Sequence, residues 1–246
     1  MGTIICFGDS NTWGYEPLSQ GRYRPEHRWV DIIGRESGWT TVNVGMNGRQ
    51  IPHTAYEIAE VMRILDAASD PDPKALYKLC MKADYQIVSS GRNLKRKNSA
   101  ADPVTEEPDR TLTRPVLFWI LLGTNDIQMN YGYTAEKAVA RMRNLLTEML
   151  FHEAVSTGKA EIRVLGPARV EVGPWSDARQ QMELKRMGPL EGELCRELGI
   201  PFTDLSGIEI ELAADGDHFS RAGHRTVADF MMEQLQPVTG EEEYHV

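Results

Sequence analysis

Five short apolar runs, separated by stretches of helical periodicity, constrain this chain more than any other feature. Thr3–Phe7, Thr40–Val44, Pro115–Leu122, Glu161–Leu165 and Pro201–Leu205 have the length and apolar content of buried strands. Between them the apolar residues change period. Trp29, Val30, Ile32 and Ile33 lie within Pro25–Gly38; Ile51, Ala55, Ile58, Met62 and Leu65 share one helical face. Thr134 is placed to cap a helix carrying Ala138, Met142, Leu145 and Met149, which Gly158 stops. Asp177–Leu198 reads as helical with Gly188-Pro189 inside it, so a kink or a second helix is expected there. Phe219–Leu235, with Ser220 as cap, is the last helix. Strands alternating with helices fold into a parallel sheet covered on both faces. The expectation is a doubly wound α/β sandwich on five parallel strands.

One stretch breaks the rhythm. Met46–Arg114 is far longer than one helix and two loops require. Within it Gly91–Thr111 is polar, basic in its first half (Arg92, Lys95, Arg96, Lys97) and acidic in its second (Asp102, Glu106, Glu107, Asp109). A polar insertion at about 66–114 in a single domain spanning 1–246 accounts for the excess. Residues 83–89 read equally as a strand or as part of that loop.

Charge and composition remove several function classes. With 27 Lys+Arg against 36 Asp+Glu the formal charge is −9, which argues against a nucleic-acid partner. No apolar run reaches the roughly 18 residues of a membrane span, and the first residues lack the basic and apolar regions of a signal peptide. A cytoplasmic location follows as the default. Cys6, Cys80 and Cys195 are scattered and odd in number, so they read as buried free thiols rather than a disulfide framework or a metal site.

In an open parallel sheet, ligands bind beyond the carboxyl ends of the strands. Four polar clusters fall at such ends: Gly8-Asp9-Ser10-Asn11, Asn43-Val44-Gly45, Gly123-Thr124-Asn125-Asp126 and Asp215-Gly216-Asp217-His218. Acyl transfer needs a nucleophile, a base near neutral pH, an orienter for that base and donors for an oxyanion. Ser10 can attack, His218 can take its proton, and Asp215 can hold the imidazole. The backbone N–H groups of Ser10 and Gly45, with the Asn125 amide, can form the oxyanion hole. Asp9 reads as a structural residue bonding nearby backbone.

Gly8-Asp9-Ser10-Asn11-Thr12, Gly45 in Asn43–Gly48, Gly123-Thr124-Asn125-Asp126 and Asp215–Ser220 together resemble the four blocks of the SGNH (GDSL-type) hydrolases. Phe7–Tyr15 with Arg28-Trp29 is similar to the bacterial arylesterase/acyltransferase branch. The resemblance implies a flavodoxin-like three-layer α/β/α sandwich and a cofactor-free, metal-free serine esterase. Its substrates would be small, short-chain or acetyl, esters cleaved through an acyl-enzyme. It also implies Ser10, Gly45, Asn125 and His218 as the named residues, with Asp215 completing the triad. Two departures stand out: Asn11 replaces the Leu of the motif, and Asp217 sets a second carboxylate beside the histidine. Asn11, Trp13, Met46, Trp175 and Phe219 are candidates for the substrate pocket. The branch includes oligomers, so self-association stays open.

Two other readings use the same residues. A flavodoxin-like module would bind FMN at the loop after the first strand. A metal-dependent phosphoesterase would use Asp9, Asp126, Asp215, Asp217 and His218 as hard ligands, without the spacing that would mark a metal site.

Overall fold

The computed structural model describes residues 2–70, 72, 74–83, 86–88, 116–130 and 132–235. The polar stretch Gly91–Thr111 lies outside them.

All five expected strands form: β1 Thr3–Gly8, β2 Thr40–Gly45, β4 Val116–Leu121, β5 Ala160–Gly166 and β6 Phe202–Asp204 are parallel. A sixth, β3 Gln86–Val88, pairs antiparallel with β2 at the edge, which settles the ambiguity over 83–89 in favour of a strand. The sheet order is β3-β2-β1-β4-β5-β6. The five parallel strands thus have flavodoxin-like order, and the connections leaving β1 and β4 run to opposite sides of the switch point between them.

The helices are α1 Ser10–Trp13, α2 Trp29–Glu36, α3 Ala55–Ser69, α4 Lys74–Ala83, α5 Thr124–Met129, α6 Ala135–Phe151, α7 Ala178–Leu198 and α8 Arg221–Glu233. Strand alternation deals the apolar side chains to two cores. Ile5, Phe7, Val44, Phe118 and Ile120 face α3, α4, α6 and α7. Ile4, Cys6, Trp119 and Leu121 face α2 and α8, where Trp29 stacks on Trp119 with centroids 6.4 Å apart. A sheet buried on both faces therefore needs the near-uniformly apolar strands that the sequence carries.

Helix ends follow side-chain chemistry. Thr54 and Glu57 form a reciprocal capping box, so α3 begins at Ala55 and Ile51 stays in the preceding loop. Asp177 and Gln180 do the same for α7, which runs through Pro189 as one helix instead of restarting there. Ser220 Oγ accepts from Gly223 N and caps α8. Thr134 sits at the N-cap of α6 without a side-chain bond to it. The first part of the expected insertion is ordered helix: α3 runs to Ser69, and α4 sends Leu76 and Cys80 into the core.

Candidate active site

The nucleophile turn is built by Asp9. Its side chain accepts from Asn11 N at 2.9 Å, which caps the one-turn helix α1 and places Ser10 at the helix start. Gly14, left-handed at φ 90°, ends that turn. Two hundred residues later the loop 213–218 returns to the same strand ends. Asp215 Oδ1 accepts from the backbone N–H groups of Asp217 (3.3 Å) and His218 (3.2 Å), folding the loop so that the imidazole points inward.

The result is a continuous relay. His218 Nε2 lies 3.0 Å from Ser10 Oγ, and His218 Nδ1 lies 2.7 Å from Asp215 Oδ2. A carboxylate only accepts, so Nδ1 carries the proton and Nε2 is left to accept from the serine hydroxyl. Burial pulls the Asp215 carboxyl up. The hydrogen bonds from the His218 ring and backbone, its charge, and the Asp217 N–H outweigh this and hold the group below its ordinary range. Asp215 is therefore an anion at neutral pH, as an orienter must be. Tyr15 lies on the imidazole, with ring centroids 4.6 Å apart.

Asn11 locks the two motifs together. Its Oδ1 accepts from Phe219 N at 2.8 Å and its Nδ2 donates to the Asp217 carbonyl at 3.3 Å. That commits the side chain to the fold, not to a substrate. The departure from the Leu of the motif thus has a structural role.

The loop after β2 corrects one expectation. Gly45 N–H already donates to Asn43 Oδ1 at 3.0 Å, and a Cβ at Gly45 would stand 2.2 Å from Trp13 N. Gly45 is glycine because the α1 backbone lies against it, and its donor is spent within the fold. Gly48, three residues on and left-handed at φ 72°, is the glycine that faces the cleft beside Ser10 and Asn125. The Asn47-Gly48 pair was a turn signal that sequence reasoning passed over.

Asn125, at the start of α5, donates one amide N–H to the Arg49 carbonyl at 3.1 Å. The residue also borders the cleft, and an amide has a second N–H to give. Asp126 beneath it accepts from Ile51 N (2.9 Å) and Arg141 (2.9 Å), tying α5 to the Gly48 loop. Arg49 reaches back to the Gly8 carbonyl at 3.0 Å and covers the Phe7 ring.

Ser10, Gly48, Asn125 and His218 form the floor of an open cleft of about 690 Å³. Its walls are Tyr15, Asn47, Gln128, Met129 and the loop 172–177, including Trp175, which is half exposed. The other pocket candidates lie elsewhere. Phe219 is buried in the α2–α8 core, Trp13 packs under the Arg22 guanidinium, and Met46 is exposed outside the cleft lining. The bracing of loop 172–177 against the histidine loop, with Gln128 between them, had no sequence signal.

The residues of the metal reading do not form one donor set. Asp126 is turned to Ile51 and Arg141, Asp9 to its own turn and Asp215 to His218. Among the described residues no group of three or more His, Cys, Asp or Glu is placed to hold an ion. Nor is any described helix long and apolar enough to cross a membrane.

A family model for the GDSL-like lipase/acylhydrolase family matches residues 6–226. The chain belongs to that family. It is accordingly an acylhydrolase, an enzyme of carboxylic ester bonds. No curated relative matches it in sequence. Its fold is shared with solved structures of low identity. The Mycobacterium smegmatis aryl esterase is 18% identical with a TM-score of 0.67, covering 96% of this chain and 98% of that one. A carbohydrate acetylesterase from Sinorhizobium meliloti is 18% identical with a TM-score of 0.65 over the same shares. A lipase/acylhydrolase from Enterococcus faecalis is 20% identical with a TM-score of 0.55, over 96% and 95%.

Proposed function

We propose that this acylhydrolase is a serine esterase of small acyl esters, working through an acyl-enzyme on Ser10. The observation that carries the reading is the relay Ser10 Oγ–His218 Nε2–Asp215, with links of 3.0 and 2.7 Å, at the floor of an open cleft. In the first half-reaction the serine oxygen bonds to the ester carbonyl carbon and its proton passes to Nε2. The Asp215 carboxylate stabilises the resulting imidazolium. The tetrahedral oxygen is held by the N–H groups of Ser10 and Gly48 and by the free Asn125 amide N–H. Each such donor is worth about 2.7–4 kcal/mol when preorganised. The imidazolium then gives its proton to the leaving alcohol, and water repeats the sequence to release the acid. Gly48 takes the place assigned to Gly45 because its side of the loop faces the cleft.

The cleft mixes amide side chains (Asn47, Gln128, Gln180) with the apolar faces of Trp175, Val172 and Met129. That lining suits a small ester, short-chain or acetyl, with a bulkier alcohol resting at the mouth. The test is hydrolysis of nitrophenyl esters of increasing acyl length by the wild type and by Ser10→Ala. Activity is expected to peak at short acyl chains and to fall by more than about 10⁴-fold in the variant. Full activity in Ser10→Ala would refute the mechanism.

A further inference from the structure

The histidine loop holds a second carboxylate that the relay does not use. Asp217 is 5% exposed, and its Oδ2 lies 3.9 Å from His218 Nδ1, on the same side of the ring as Asp215. Its backbone is fixed at both ends: the N–H donates to Asp215 Oδ1 and the carbonyl accepts from Asn11 Nδ2. Only the side chain is free to turn, and Gln128 governs that. The Gln128 amide donates to Asp217 Oδ1 and also lies 2.6 Å from Ser176 Oγ on the cleft wall. One carboxylate oxygen is thus tied to α5 while the other faces the imidazole just beyond hydrogen-bond reach.

We infer that Asp217 is a second positioning carboxylate for His218, held off Nδ1 by Gln128, that stabilises the charged ring and takes over its orientation when Asp215 is lost. The inference rests on the serine-esterase reading. The charged or titratable groups facing Asp217 are Asp215 and His218 on its own loop and Asp9 on the nucleophile turn; α5 presents only the neutral Gln128. Burial raises its carboxyl; Gln128 and His218 pull it down and Asp215 pushes it up, leaving it above the ordinary range. Its charge is therefore lost earlier than usual as pH falls. An anion 3.9 Å from the ring stabilises the imidazolium that forms as the base takes the serine proton, so removing it slows the chemical step.

The test is a cycle of Asp217→Asn in the wild type and in Asp215→Ala, read as kcat and KM separately on a nitrophenyl ester. Asp217→Asn is expected to cost about threefold alone and more than about 30-fold in the Asp215→Ala background. In the otherwise wild-type protein the loss falls on kcat, with KM unchanged. Equal factors in the two backgrounds, or a loss carried by KM, would overturn the role, because an aspartate that does not act on the ring has no reason to couple to Asp215 or to spare KM. Asp217→Ala repeats the cycle without burying an amide. A serine-reactive phosphonate separates the two levels of failure. No labelling at Ser10 in the wild type strikes the esterase reading; labelling at Ser10 with equal cycle factors strikes Asp217 alone.

Discussion

The floor of the cleft and the layer just beneath it are built from the same residue types, drawn from the same short motifs. His218 faces Ser10 while His224, six residues on, is enclosed by Tyr23, Trp29 and Phe219. Gly48 faces the cleft while Gly45 lies against the α1 backbone. Asn125 keeps one amide N–H for the cleft while both polar atoms of Asn11 are bonded within the fold. The difference lies in where each partner sits. Residues of the lower layer have given their polar atoms to the fold or buried them without a partner; those of the floor keep one atom turned outward. His224 shows the cost of the lower position. Its Nδ1 accepts from Trp29 N at 3.5 Å, its Nε2 has no partner among the described residues, and burial, aided by Arg28, lowers its pKa to about 3.

The pair of histidines gives the widest split. His218→Ala is expected to lower kcat/KM by about 10³-fold or more, with the thermal midpoint nearly unchanged. His224→Leu should keep activity within about twofold and show its effect in stability alone, because the Trp29 N–H loses its acceptor. Comparable activity losses in both would break the division into layers. The asparagines give a smaller split. Asn125→Ala removes the proposed oxyanion donor and should cost about 10²-fold in kcat with little change in stability. Asn11→Ala cuts both ties between the nucleophile turn and the histidine loop, so denaturant unfolding should show a loss of about 1–3 kcal/mol.

The glycines sharpen the contrast by geometry. A methyl at Gly45 would meet the Trp13 backbone at 2.2 Å, so α1 and with it Ser10 must move. Gly45→Ala should destabilise by about 1–3 kcal/mol, as overpacking does, and lower activity through displacement of Ser10. A methyl at Gly48 meets only Met129 Sδ at 3.9 Å, and the strain is confined to φ 72°. Gly48→Ala should cost about 1 kcal/mol and retain most activity, since its N–H survives. Reading both variants by urea titration and by ester hydrolysis tests this difference in packing directly.

The same contrast marks what was legible in the sequence. Strand positions were, because a doubly covered sheet demands apolar runs of strand length, and five were found within a residue or two at most ends. The edge strand Gln86–Val88 was ambiguous because three residues carry too little period to separate strand from loop. At the site, the order of the motifs placed Ser10, Asn125, Asp215 and His218 at one sheet edge. Which of two nearby glycines borders the cleft was not legible, since it depends on the left-handed turn at Gly48 and on Asn43 reaching Gly45 N. Gln128 and Tyr15 went unnoticed for a similar reason: each is defined by contacts with loops that lie far away in sequence.

A further test reads the lower layer through pH. His224 titrates at 6.5 when unfolded and at about 3 when folded, so the unfolded chain binds its proton first. Its contribution is complete above pH 6.5 and is lost as pH falls towards 3, at up to about 1.4 kcal/mol per unit. Asp9 runs the other way. Burial, opposed by the Asn11 N–H and assisted by Asp217, raises its pKa from 3.8 to about 7, so the folded state binds the proton first. Its contribution is complete below pH 3.8 and is lost as pH rises through 7. Between roughly pH 4 and 6.5 the two slopes oppose each other. In His224→Leu, unfolding free energy relative to wild type should therefore decline as pH rises across that window. In Asp9→Asn, which keeps a capping oxygen for Asn11 N, it should climb instead. Parallel profiles for the two variants would mean that these buried groups do not titrate as their surroundings dictate, and the lower layer would lose its electrostatic distinction from the cleft floor.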